Sequence, residues 1–297
     1  MVNKQLPVYD IEKFKYLGDE NNFYANTFRD HLKQHQHIIL APHRHDFYVG
    51  MIFTKGNGTH QVEFNNYKIK PGHVFMLAPG EVHDWNFSKD VDGYIFFHTK
   101  EFFDLNFTYE KADDYPFYCC LRNNPLIPIN NKLRRKINEL FSEIVYEYKQ
   151  NELLKFQKIS SVLNVLYIAL SRIYLPDKIL QSKNLNYLGK LKQLDHLIEK
   201  HFTEYKYPKD YASLMHMSEK HLNRICKICL NKTTSQIILE RVLLEAKRRH
   251  AFAKSSISEI GEELGYTNTS YFVQLFRRKT GKTPAEFMYT FRQPANA

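Results

Sequence analysis

Three histidines and one tryptophan stand where they can do chemistry together. His43 and His45 are two residues apart in the run His43-Arg44-His45-Asp46-Phe47-Tyr48, and His83 is two residues from Trp85, the only tryptophan of the chain. Residues i and i+2 of a strand share a face. If those faces point inward, the three imidazoles and the indole line one cavity, and three imidazoles suit a divalent transition metal. A second constellation is basic and amide-rich. Lys220, Asn223, Arg224 and Lys227 fall on one face of a helical stretch, and Thr269, Ser270, Val273, Gln274 and Arg277 do so about fifty residues later. Amides and guanidinium groups read purine edges in a major groove, while Lys and Arg further along meet phosphates. No nucleophile elbow or phosphate-cradling loop accompanies either group, so no catalytic residue is assigned and no enzyme is expected.

Composition narrows the classes further. With 43% hydrophobic and 25% charged residues the chain is of ordinary globular type, and 297 residues suffice for roughly two domains. No apolar run approaches the ~18 to 20 residues of a spanning helix, and the opening residues lack the apolar stretch of a signal peptide, so a cytoplasmic protein without a membrane partner is expected. Cys119 and Cys120 are adjacent and Cys226 and Cys229 three apart, spacings unlike a disulfide framework, and reduced thiols are expected. A four-thiolate metal site is set aside, because neighbouring Cys119 and Cys120 point opposite ways in an extended segment. Residues 181–297 hold 13 Lys and 7 Arg against 2 Asp and 9 Glu, which is +9 of the total +10. A basic region suited to a polyanion is thus joined to a near-neutral one with another task.

The elements that must position these groups follow from pattern. Seven of eleven glycines and seven of eleven prolines fall in residues 1–130, between short apolar stretches, which predicts an antiparallel barrel or sandwich with Lys55-Gly56-Asn57-Gly58 as a hairpin turn. From Asn130 the period becomes helical. Leu133, Ile137, Leu140, Phe141, Ile144 and Tyr148 form one stripe, and Ile159, Val162, Leu163, Leu166, Leu170 and Ile173 another. They predict a helical hairpin over 131–175 that covers the barrel or pairs two chains into a homodimer. Residues 176–188, beginning at the helix-ending Pro176, are the expected linker.

The remaining residues, 189–297, repeat themselves. Tyr211-Ala212-Ser213-Leu214-Met215 aligns with Ile260-Gly261-Glu262-Glu263-Leu264 at an offset of 49, and Glu219 to Lys227 aligns with the stretch from Thr269 at an offset of 50. Each copy reads as a helix, a tight turn at His216 or Gly265, and a second helix capped by Ser218 or Asn268. Ala212 and Gly261 are small enough for close crossing; Leu222, Ile225, Cys226 and Cys229, and Phe272, Leu275 and Phe276, form the apolar faces. Thr234 to Lys254 predicts a connecting helix of 21 residues, about 31 Å long. That nearly matches the ~34 Å between successive major-groove faces of a duplex. Ser256-Ile257-Ser258-Glu259 and Thr283-Pro284-Ala285-Glu286 are capping boxes, and Gly281 suits a helix end.

The stretch from Ser258 through Gly261, Leu264-Gly265-Tyr266 and SYFVQLFRRKTGKTPAEF resembles the signature of the arabinose-operon regulator (AraC/XylS) family of bacterial transcription factors. The first copy, with HLNRICK, Ile237 and a RVLLEAKRR spacer, resembles the family's first helix-turn-helix in order and spacing, and the resemblance runs from roughly Leu191 onward. Gly261 stands where Ala is more usual, His216 and Asn231 where Gly often occurs, and Cys226 where an aromatic is common. The N-terminal region, through His43-Arg44-His45-Asp46-Phe47-Tyr48, Lys55-Gly56-Asn57-Gly58 and Leu77-Ala78-Pro79-Gly80-Glu81-Val82-His83, resembles the cupin-type effector barrel of many members. That resemblance implies an effector pocket of His43, His45, Tyr48, His83 and Trp85. Metal-binding cupins add a carboxylate four or five residues after the second histidine, where this chain has Val49 and Gly50, so hydrogen-bonding histidines are expected and no metal or cofactor. His60, His73 and His98 are expected to be ordinary strand or turn residues.

Together these expectations describe an α+β chain. A cupin-like antiparallel β-barrel over 1–130 and a helical hairpin precede an all-α domain with two helix-turn-helix subdomains joined by a long helix. The implied function is a sequence-specific, effector-responsive transcription regulator, an activator by the family resemblance, that reads two successive major grooves with two recognition helices, with double-stranded DNA, a small effector, RNA polymerase and a second copy of the chain as partners. Lys220, Asn223, Arg224, Lys227, Thr269, Ser270, Gln274 and Arg277 are the expected DNA-binding residues. The alternative is a metal-dependent cupin enzyme carrying a nucleic-acid-binding domain.

Overall fold

Short strands with alternating burial build the first half of the chain. The computed structural model describes residues 6–14, 22–39, 41–107, 110–118, 124–175, 185–252 and 256–292, and the chain divides into two compact units between residues 176 and 177. The N-terminal unit contains β1 (Val8–Tyr9), β2 (Phe23–Thr27), α1 (Phe28–Ile39), β3 (Arg44–His45), β4 (Tyr48–Lys55), β5 (Gly58–Val62), β6 (Asn65–Ile69), β7 (His73–Leu77), β8 (His83–Phe87), β9 (Asp92–His98), α2 (Lys100–Asn106), β10 (Leu126–Pro128), α3 (Asn131–Lys149) and α4 (Lys155–Tyr174).

The strands form an antiparallel five-stranded sheet, β10-β7-β4-β9-β2, and a three-stranded sheet, β6-β5-β8, with β1 and β3 as a small parallel pair. Among the described residues the ladders do not close into a barrel. The pairing of His43 with His83, through backbone hydrogen bonds of 3.1 and 2.9 Å, ties the β8 strand to the loop before β3. Lys55 to Gly58 does turn sharply, with Gly56 at φ 83°, but it is not a hairpin. It passes β4 of the large sheet to β5 of the small one, because β4 is already paired on both edges by β7 and β9. A Cβ on Gly56 would lie 2.5 Å from the Val91 backbone, which explains the glycine.

Phe14, Phe28, Phe47, Phe53, Phe75 and Phe97 are fully buried in this unit, and α3 packs on β2, β4 and β9. The hairpin of α3 and α4 thus covers the large sheet. Beneath it runs a polar chain: the Thr99 carbonyl accepts from His98 Nδ1 at 3.0 Å, so His98 Nε2 accepts from the Tyr167 hydroxyl at 2.6 Å. Tyr118 Oη stands 2.8 Å from Tyr167 Oη. Such a chain satisfies buried polar groups that would otherwise cost stability.

The C-terminal unit is helical: α5 (Leu185–His201), α6 (Pro208–Leu214), α7 (Glu219–Leu230), α8 (Thr234–Phe252), α9 (Ile257–Glu263), α10 (Thr269–Thr280) and α11 (Pro284–Arg292). Helix α5 begins inside the stretch read from sequence as linker, whose residues 176–184 lie outside the described residues. Among the described residues no helix is long and apolar enough to cross a membrane.

Burial holds His31 down to about 3, with the neighbouring His35 adding to the effect, and burial holds His98 down to about 4, against an ordinary 6.5. Both stay neutral in the fold at pH 5, whereas the unfolded chain takes up protons below about 6.5. Their contribution to stability is therefore complete above that pH and is lost as pH falls toward the folded values. Each costs about 2 kcal/mol at pH 5 relative to pH 7.5. The urea midpoint followed by Trp85 fluorescence is expected to drop steeply between pH 6.5 and 5, and an unchanged midpoint would contradict neutral burial.

Candidate nucleic-acid interface and histidine site

The duplicated sequence folds into duplicated geometry. The turn between α6 and α7 is closed by Met217 N–H on the Ala212 carbonyl at 3.0 Å, and that between α9 and α10 by Tyr266 N–H on the Gly261 carbonyl at 2.9 Å. His216 and Gly265 take left-handed angles at φ 51° and 80°. Ser218 Oγ accepts from His221 N–H at 3.2 Å, and Asn268 Oδ1 from Tyr271 N–H at 2.9 Å, capping the second helices. Both second helices end in left-handed residues, Asn231 and Gly281. The repeat then continues: Thr233 and Gln236 exchange the two bonds that Thr283 and Glu286 exchange in the capping box of α11.

Packing explains where the copies differ. A Cβ on Gly265 would lie 2.1 Å from the Thr203 carbonyl oxygen, so the second turn requires glycine, whereas His216 is exposed and bears its left-handed angle at modest cost. Leu222, Ile225, Cys226 and Cys229 are buried along α7, as are Phe272, Leu275 and Phe276 along α10. Cys226 accepts from Thr234 Oγ1 at 3.4 Å, and burial pushes its thiol up, as suits a packing residue. Cys119 and Cys120 lie outside the described residues.

On the outer faces, Lys220, Arg224 and Lys227 of α7 and Ser270, Gln274 and Arg277 of α10 are exposed. The other two expected contacts are turned to internal use. Asn223 is half-buried and its Oδ1 accepts from Thr234 N–H at 3.2 Å, while the half-buried Thr269 hydroxyl lies 3.1 Å from Ser258 Oγ. Arg224 Nη2 donates to His221 Nδ1 at 2.9 Å, an orienting contact that helical spacing of three allows but residue type alone does not reveal.

Helix α8 carries both copies. It packs on α5, α6 and α7 of the first and on α9 and α11 of the second. Along it runs a continuous chain of charge: Glu199 of α5 pairs with Arg241 at 2.7 Å, Arg241 with Glu245 at 3.1 Å and Glu245 with Arg249 at 2.9 Å; Arg249 then pairs with Glu263 of α9. Phe202 lies 3.9 Å from the Arg241 guanidinium. Burial opposes the charge on Glu245, but Arg249 and Arg241 outweigh it and hold the carboxyl below its ordinary range.

In the N-terminal unit, His43, His45 and His83 come together with one ring nitrogen of each within 4.8 Å of the others, all buried. His60, read from sequence as an ordinary strand residue, is fully buried and its Nε2 lies 3.0 Å from His83 Nδ1. Alternation along β5 and β8 carries that signal, since register pairs His60 with Trp85. His98 is also buried, while His73 bonds the Lys68 carbonyl in a turn. Burial lowers His43, His45, His60 and His83 alike, so these rings are neutral. Trp85 packs on His60 and His83, with ring centres 4.9 Å away in each case. Tyr48 does not join them. It follows Phe47, whose ring meets His45, and so points to the opposite face, where it stacks on His98 and donates to Asp113 Oδ1 at 2.5 Å. A cleft of about 490 Å³ opens on the other side of Trp85, lined by Arg29, Leu32, Lys33, Trp85, Phe87 and Lys89 among others.

Residues 26–99 match the model of the AraC-like ligand binding domain, and residues 211–289 match that of a helix-turn-helix domain. The chain is 23% identical over 256 residues to the HTH-type transcriptional activator RhaS of Escherichia coli O81, covering 82% of this chain and 86% of that protein. Among solved structures, ToxT from Vibrio cholerae O395 is similar over 92% of this chain and 99% of its own, at 12% identity and a TM-score of 0.44. A transcriptional regulator of the AraC-type DNA-binding domain-containing proteins from Chromobacterium violaceum is 27% identical and similar over 38% of this chain and all of its own, with a TM-score of 0.34.

The charge chain on α8 sets the relation of the two subdomains, so its central carboxylate can be tested apart from either reading face. Glu245→Gln is expected to weaken binding to DNA that engages both copies by about fivefold, equivalent to ~1 kcal/mol, and to leave binding to a single half-site unchanged. Equal losses on both DNAs in fluorescence anisotropy would contradict a spacing role.

Proposed function

The chain belongs to the AraC family of helix-turn-helix transcription regulators, and from that premise we propose that it reads one DNA site with two recognition helices in successive major grooves, under control of a small effector. The observation that carries the reading is the paired exposure of Arg224 and Gln274 at equivalent positions of α7 and α10. Helix α8, at 19 residues about 28 Å long, joins the copies and is of the same order as the ~34 Å helical turn of DNA. Arg224, Ser270 and Gln274 read base edges, Lys220, Lys227 and Arg277 meet phosphates, and Asn223 and Thr269 hold the reading helices in place from within.

The effector reaches Trp85 through the cleft beside it. Its aromatic floor and its Lys33 and Lys89 rim suit a ligand with an apolar body and a negative group, while His43, His45 and His83 stiffen the wall behind. Tyr48 belongs instead to the packing under the helical hairpin. Effector binding shifts the populations competent for the promoter and for RNA polymerase, with activation the favoured outcome. Exposed Val165 and Ile168 on the outer side of α4 offer an apolar patch for a second copy of the chain, and we place the homodimer there. The protein acts in the cytoplasm, where its promoter is, and we assign it no catalysis.

The test is sequence-resolved. Arg224→Ala or Gln274→Ala is expected to cost ~1 to 3 kcal/mol at one base position and relax specificity there. Lys227→Ala or Arg277→Ala is expected to weaken all sequences alike and lower the slope of log affinity against log salt by ~1. A uniform, sequence-independent loss from Gln274→Ala in anisotropy titrations would overturn its assignment to a base.

A further inference from the structure

The imidazole cluster holds more nitrogen lone pairs than its own hydrogen bonds can use. His43 Nδ1 lies 2.7 Å from the Ala41 carbonyl oxygen, which only accepts, so the ring proton is on Nδ1 and Nε2 bears a lone pair. That Nε2 is buried and has no hydrogen-bond partner among the described residues. His83 Nε2 and His45 Nε2 stand 2.8 Å apart, a contact that works without an ion only if one of them is protonated against the other. His45 Nδ1 and His60 Nδ1 are also buried without partners among the described residues. Leaving such groups unpaired in an interior costs stability, and four neutral, desolvated imidazoles around one point form a donor set more than a packing solution.

We infer that His43, His45 and His83 hold a late first-row divalent metal ion through their Nε2 atoms, with His60 as the positioning residue behind His83. The inference is independent of the regulatory reading. It needs no carboxylate at Val49 or Gly50: three neutral imidazoles select zinc, cobalt, nickel or copper over magnesium and calcium, which require oxygen ligands. Two nitrogens ~2.05 Å from a tetrahedral ion are about 3.3 Å apart, so His45 and His83, 2.8 Å apart, part by about 0.5 Å, while the widest separation in the trio, up to 4.8 Å, closes by about 1.5 Å through rotation of the His43 ring. On binding, the His83 proton sits on Nδ1 and is donated to His60 Nε2, whose own proton sits on Nδ1; one neutral tautomer replaces another and no proton is released. A hydrogen bond from the far nitrogen of a ligating histidine fixes its tautomer and ring orientation, which is the role the 3.0 Å contact gives His60.

Trp85, the only tryptophan, packs on His60 and His83 and reports on the site directly. The purified full-length chain, stripped with a chelator, is titrated with Co²⁺ while Trp85 fluorescence and visible absorption are recorded, and zinc per chain is measured after reloading. The expected result is one equivalent bound, with quenching of Trp85, visible bands of nitrogen-ligated cobalt and a raised melting temperature. His43→Gln, which leaves the His45, His60 and His83 contacts in place, is expected to abolish the bands. His60→Gln is expected to weaken binding 10- to 100-fold without abolishing it, and His73→Ala to change nothing. Failure of the wild-type chain to bind one equivalent overturns the proposal, as does cobalt binding that survives both His43→Gln and His45→Gln.

Discussion

Everything the C-terminal unit can do depends on holding two reading helices a set distance apart. Each copy is a helix of 7 residues followed by one of 12. Their separation is enforced by one helix, α8, that contributes to both cores, and by the chain of charge from Glu199 through Arg241, Glu245 and Arg249 to Glu263. Arg241 and Glu245 are mostly buried, so their attraction is screened less than that of surface pairs, and each pair shares a partner already ordered by the next. The close approach of Gly265 to the Thr203 carbonyl adds a second tie between the copies, where no side chain fits.

Much of this unit is local in origin, and local signals are what a sequence carries plainly. The capping boxes at Ser256 and Thr283, the caps Ser218 and Asn268, and the left-handed Asn231 and Gly281 all appear where residue type places them. Helix α8 is described to Phe252, two residues short of the expected end, and 253–255 lie outside the described residues. What escaped the sequence was the inward use of Asn223 and Thr269. Their residue types fit base contacts equally well, and only the packing of α7 against α8 and of α9 against α10 decides.

The N-terminal unit was less legible because its contacts are non-local. Period-two alternation shows which residues share a face, and it placed His43 with His45 and His83 with Trp85. It does not show which strands pair. The Lys55 to Gly58 turn therefore reads as a hairpin although β4 and β5 belong to different sheets. His60 and His98 look ordinary for the same reason: their burial is created by the second sheet and by the helical hairpin closing over them. Tyr48 could have been separated from His45 and Phe47 by parity alone. The interior that results is crowded with neutral imidazoles and aromatic rings, and Trp85 packs on His60 and His83 while also lining the cleft.

One chain that reads two grooves at a fixed spacing must recognise a site of fixed geometry. The most direct measurement is selection of double-stranded DNA from a random pool by the full-length protein, followed by affinity measurements on the enriched site with 5 or 10 base pairs inserted between its blocks. Two short blocks about one helical turn, ~10 base pairs, apart are the expected enrichment. Either insertion is expected to destroy the tight mode, because α8 cannot stretch. Enrichment of a single block, or affinity indifferent to the insertions, would contradict that fixed spacing.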